Sequence, residues 1–155
     1  MGFFSSVRQG RKDDAELGTG VWRRAHDRFQ RGLDRFHQML EGIDEGPSYD
    51  ALVPLANELS DLLPRVRAVA AAAQSAAPST GNDIPASEGG ELNEVHRELS
   101  RSGNALATAA EAVAMVRLGV GDVAAVERRA HAVAGHVERA AELMDAAGQG
   151  KASHS

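Results

Sequence analysis

The sequence predicts an all-α protein: an antiparallel, up-down-up-down four-helix bundle with a kinked second helix. Three observations predict it. Alanine is abundant and aromatic residues make up only 4% of the chain, a composition that favours helix because alanine loses no side-chain entropy there and strands want β-branched and aromatic residues. Apolar residues recur at alternating steps of three and four in four separate stretches, which is the spacing of one helix face. The last two stretches are joined by a tight glycine turn, as antiparallel neighbours require. At 155 residues the chain fits one domain with a sizeable core. The bundle is expected over 19–148, with 1–18 a flexible or interfacial segment and 149–155 a disordered tail.

The first stretch places Trp22, His26, Phe29, Leu33, Phe36, Leu40 and Ile43 on one face. Thr19 can cap its start, and Gly42 to Pro47 end it. The second follows Pro47, with Ser48 or Asp50 as cap, and carries Leu52, Leu55, Leu59, Leu62, Val66, Val69 and Ala73. Ala56, Leu63 and Ala70 widen its stripe. Pro54 falls near the first turn, whereas Pro64 is interior and removes a backbone hydrogen bond, hence the expected kink. Gln74 to Gly90 has no periodicity and reads as a long loop. The third stretch carries Leu92, Val95, Leu99, Ser102, Leu106, Ala109, Val113 and Val116. Leu118 to Gly121 makes the turn, and Asp122 caps the fourth stretch of Val123, Val126, Ala130, Val133, Val137, Ala140 and Met144, which Gly148 ends. The core is lopsided: bulky Trp22, Phe29 and Phe36 face mainly valine and alanine, so backbones can approach closely. The wide stripe of the second helix also suits a homodimer formed through that helix.

Composition excludes several functions. Without cysteine there is no disulfide scaffold and no thiol nucleophile. A net charge of −5 argues against nucleic acid as a partner. No stretch approaches the roughly 18 to 20 apolar residues of a spanning helix, and no secretory leader is legible. The expected location is the cytoplasm, with peripheral contact to the inner membrane open.

Candidate chemistry is sparse. Asp34 and His37 have the spacing of a di-iron bundle motif, but no second helix repeats it. Glu127 and His131 fall off their apolar face, His96 and His136 flank theirs, and His154 is in the tail. His26 alone occupies a core position, where a histidine with one hydrogen-bonded nitrogen is the ordinary occupant. The serines form no nucleophile elbow. Gly148 to Ala152 echoes a phosphate loop but lacks its first glycine, its hydroxyl residue and a preceding strand. No catalytic residue, metal site or cofactor is expected, and a non-enzymatic protein is the preferred reading.

Two surfaces stand out. Arg24, Arg28, Arg31 and Arg35 step by four, three and four along the first helix, opposite its apolar face. Asp27 and Asp34 are the local carboxylates that could neutralise them. The ordinary reading of such a row is a solvated face, but two aspartates do not balance four arginines, so the functional reading is an acidic macromolecular partner: an acidic protein face, anionic lipid or RNA backbone. At the N-terminus, Phe3 and Phe4 precede Arg8, Arg11 and Lys12, an order of apolar then basic residues that suits an anionic membrane surface. This opening is similar to those of peripheral helical membrane-stress proteins of the phage shock protein A kind. The resemblance covers these few residues and implies contact with the inner leaflet. A small-ligand carrier or enzyme, with a cavity between helices lined by alanine and valine, is the third reading.

Overall fold

The computed structural model describes residues 3–81 and 90–153, with side chains from Ser5 to Gln149 within them. Those residues are helical almost throughout, in five helices: α1 (Phe3–Leu17), α2 (Val21–Glu41), α3 (Pro47–Ala76), α4 (Glu91–Arg117) and α5 (Val123–Ser153). The four expected helices are α2 to α5. The fifth, α1, occupies the segment expected to be flexible or interfacial.

The three-four pattern reports the buried faces closely. Trp22, His26, Phe29, Leu33, Phe36 and Leu40 are buried on α2. Leu52, Leu55, Leu59, Val66, Val69 and Ala73 are buried on α3. Every seam position from Leu92 to Val113 is buried on α4, and Val126, Ala130, Val133, Val137 and Ala140 are buried on α5. Ser102, the polar member of the α4 seam, donates its hydroxyl to Leu99 O at 2.6 Å. That bond satisfies a group whose burial would otherwise be costly. The wide stripe of α3 is used within the chain, because this helix packs against α1, α2 and α5. Pro54 and Pro64 lie inside α3, which continues through both.

Neighbours are not antiparallel throughout. Trp22 and Ala77, then His37 and Ser60, pair α2 with α3 in opposite directions. Along α2 and α4 the contacts rise together. Trp22 meets His96, Arg28 lies over Gly103, Gly32 faces Leu106, and Gly42 sits beside Arg117. These two helices are therefore parallel. Helix α4 packs along α2 and α5 and barely touches α3. The sense still alternates along the chain, but the consecutive helices α3 and α4 are not packed neighbours.

The chain was expected to be a loop from Gln74 onward, yet Ala77 and Ser79 are buried. The Trp22 indole N–H donates to Ala77 O at 3.0 Å, and the Ser79 hydroxyl accepts the Val21 N–H at 3.2 Å. Ser79 thus does from a distance what Thr19 was expected to do locally. Gly20 is the N-terminal cap of α2 and has no side-chain capping bond of its own. A β-carbon at Gly20 would lie 2.2 Å from Ser79 Oγ, so the close approach requires glycine.

Other ends follow ordinary capping. Asp122 caps α5 as expected, accepting the Ala125 N–H at 2.7 Å. Helix α3 starts at Pro47 rather than after Ser48 or Asp50, since proline's fixed φ and missing N–H suit the first helical position. Helix α5 does not stop at Gly148 and reaches Ser153. Gly148 does not adopt the left-handed conformation that ends helices, and a helical glycine costs only about 1 kcal/mol relative to alanine.

Phe29 sits mid-seam on α2 with no exposed surface. Phe29→Ala should lower stability by about 3–5 kcal/mol in urea denaturation; a change within measurement noise would mean that this seam does not form the core.

Candidate functional site

The arginines of α2 divide by partner. Arg23, which the stripe does not include, holds Asp27 through its Nε at 2.9 Å and Asp14 through Nη1 at 2.7 Å. The other oxygen of Asp27 lies 3.0 Å from Nδ1 of buried His26. Asp27 is therefore committed away from the stripe. Arg24, Arg28, Arg31 and Arg35 are all exposed. None of them forms an ion pair among the described residues, and Arg24 donates to Gly81 O. Local neutralisation, the ordinary fate of such a row, is absent there.

Arg24, Arg28 and Arg31 line a groove of about 400 Å³ between α2 and α4, whose far wall carries His96 and Ser100. The parallel pairing of α2 with α4 creates this site. His96 is set by its T-shaped contact with Trp22, ring centroids 5.7 Å apart. Partial burial and the charge of Arg24 push the His96 imidazole below the ordinary histidine range. Arg35 lies one turn beyond the groove on the same face.

Compared with known protein families, curated proteins and solved structures, the chain matches none. The site is therefore read from its own chemistry.

The second expected surface is divided. The side chains of Phe3 and Phe4 lie outside the described residues. Arg8, Arg11 and Lys12 are exposed on α1, with Lys12 3.9 Å from Glu16. What docks α1 is acidic. Arg67 of α3 reaches Asp13 through Nη2 at 2.7 Å and Glu16 through Nε at 2.9 Å, and Arg23 bridges to Asp13 and Asp14. Burial raises the Asp13 carboxyl, but hydrogen bonds from Arg67 and Gln9 outweigh it and hold the group below its usual range. Leu17, fully buried, and the left-handed Gly18 end the helix against Gln74.

Sequence reasoning also missed Glu98, which is buried beside the α4 seam. It accepts from Arg101 and lies 2.8 Å from His136 Nδ1 on α5. Its position directly before Leu99 was a weak signal. Among the described residues, no three histidine or acidic side chains converge as a metal would require, and no helix is long and apolar enough to cross a membrane.

The α1 clamp gives a signed expectation. Because Asp13 titrates lower when folded, the clamp contributes fully above the ordinary aspartate value of 3.8 and is lost as pH falls through the lower folded value. Arg67→Ala should expose Arg8, Arg11 and Lys12 to faster trypsin cleavage at neutral pH while the rest of the chain stays protected. Unchanged cleavage rates would show that α1 is held by other means.

Proposed function

We propose that this protein is a non-enzymatic interaction module: a four-helix bundle of α2 to α5, bent at Pro64, with α1 laid against α2 and α3. It docks an acidic protein partner through Arg24, Arg28, Arg31 and Arg35. The observation that carries the reading is the division of charge on α2. Asp27 pairs with Arg23 and His26, while the stripe keeps four exposed guanidiniums on a chain of net charge −5. They span about 16 Å of helix, a length suited to a partner helix or extended segment bearing spaced carboxylates.

A second reading is favoured by a different observation. Arg8, Arg11 and Lys12 are exposed along α1, the segment whose sequence opens with Phe3 and Phe4. Such groups suit peripheral contact with an anionic bilayer. This reading requires co-sedimentation with anionic vesicles.

Replacing Arg28 and Arg31 together with glutamine should change stability by under about 1 kcal/mol and abolish affinity capture of the partner from a native lysate that retains membranes. Capture by the wild type should weaken steeply with salt, since exposed charges are screened over about 8 to 10 Å. Removing residues 1–12 separates the two readings: loss on truncation alone assigns binding to α1. Capture indifferent to salt and to the arginines would refute the stripe.

A further inference from the structure

The α2–α4 groove has a donor set more specific than an acidic surface needs. Arg24, Arg28 and Arg31 line one wall, and among the described residues no carboxylate lines the groove. His96 and Ser100 stand one turn apart on the opposite wall. Among the described residues, neither their imidazole nor their hydroxyl has a hydrogen-bond partner. Arg28 is settled over Gly103, with its stem 3.5 Å from where a β-carbon would stand, and the same side chain lines the groove.

We propose that this groove is a phosphoryl-binding subsite that receives a phosphorylated serine or threonine of the protein partner. The inference rests on the stripe reading above and narrows it. A carboxylate brings one charge and two oxygens, which leaves three guanidiniums undercompensated. A phosphoryl group brings nearly two charges and three strong acceptor oxygens, and guanidinium forks bind such oxygens bidentately. The imidazole N–H and the Ser100 hydroxyl supply neutral donors from the other side. Because burial and Arg24 disfavour the charged form of His96, this wall donates without adding to the repulsion among the arginines. The groove's volume of about 400 Å³ accommodates the group and the side chain that carries it. Arg35, outside the groove on the same face, is left for a neighbouring carboxylate of the same segment.

A lipid phosphate would offer the same oxygens, but a bilayer also asks for apolar residues beside the charges. Among the described residues, the large apolar side chains that are exposed, Met115, Leu118 and Val120, lie at the opposite end of α4 from His96. The groove therefore faces a soluble segment.

The test uses the full chain and one short glutamate-rich peptide with a central serine, in phosphorylated and unmodified forms, followed by fluorescence anisotropy. The phosphorylated form should bind at least roughly tenfold more tightly, the scale of one or two charge-assisted hydrogen bonds. Arg28→Gln and Ser100→Ala should shrink that difference, while Arg35→Gln should weaken both forms alike. Circular dichroism melts identify any variant that fails to fold, and the wild-type comparison does not depend on them. Equal affinity for the two peptides overturns the phosphoryl subsite and leaves the stripe reading standing. If neither peptide binds, both fall. Binding to phosphatidic acid vesicles that requires Arg28, without phosphopeptide binding, assigns the phosphate to a membrane and also overturns the proposal.

Discussion

Trp22 is the interaction on which the rest of the architecture depends. Its ring is fully buried, its indole N–H is bonded to Ala77 O at 3.0 Å, and its edge or face meets His96. One side chain thereby joins the start of α2, the end of α3 and the start of α4. A buried indole needs a partner for its N–H, and the exit of α3 supplies one. That bond holds the residues just after α3 at the end of the molecule where α2 and α4 begin, and the His96 contact holds the start of α4 beside the start of α2. The groove, and the placement of His96 opposite Arg24, follow from it.

The buried faces were legible in the sequence because each helix obeys one local rule. Spacings of three and four identify the inward side from Trp22 to Leu40 and from Leu92 to Val113 without knowledge of the partner helix. The order of packing was not legible. A seam states which side of a helix is buried and not which helix covers it, so Val95 and Leu99 could equally have faced α3. The decisive contacts, Trp22 with Ala77 and Val21 with Ser79, join residues more than fifty positions apart, and no periodicity signals them.

Helix α1 was missed for a different reason. Its last turns read Lys12, Asp13, Asp14, Ala15 and Glu16, a polar run resembling a solvated linker. The carboxylates find Arg23 and Arg67 only after α2 and α3 have packed. Glu98 is a similar case, since its partner His136 is on α5. Charge that docks one element onto another depends on tertiary placement, whereas the sequence shows only charge neighbours within a turn or so. The arginine stripe was legible because its spacing is local. The groove it borders was not, since His96 and Ser100 come from another helix.

The same residue type therefore serves two purposes on adjoining faces of one helix. Acid is not scarce in this chain, which has 22 acidic residues against 17 basic ones. Yet Asp27 of α2 and the α1 carboxylates Asp13, Asp14 and Glu16 converge on Arg23 and Arg67. Each of those arginines is about one-fifth exposed and contacts more than one carboxylate, so screening by water is reduced and the pairs can order a helix. The stripe arginines remain in water, where an added intramolecular pair would contribute less than about 1 kcal/mol. Leaving them unpaired thus costs the fold little, while an incoming anion that displaces water from the groove gains several charge-assisted bonds at once. This asymmetry lets the protein keep a concentrated positive face on an acidic molecule without destabilising the helices that present it.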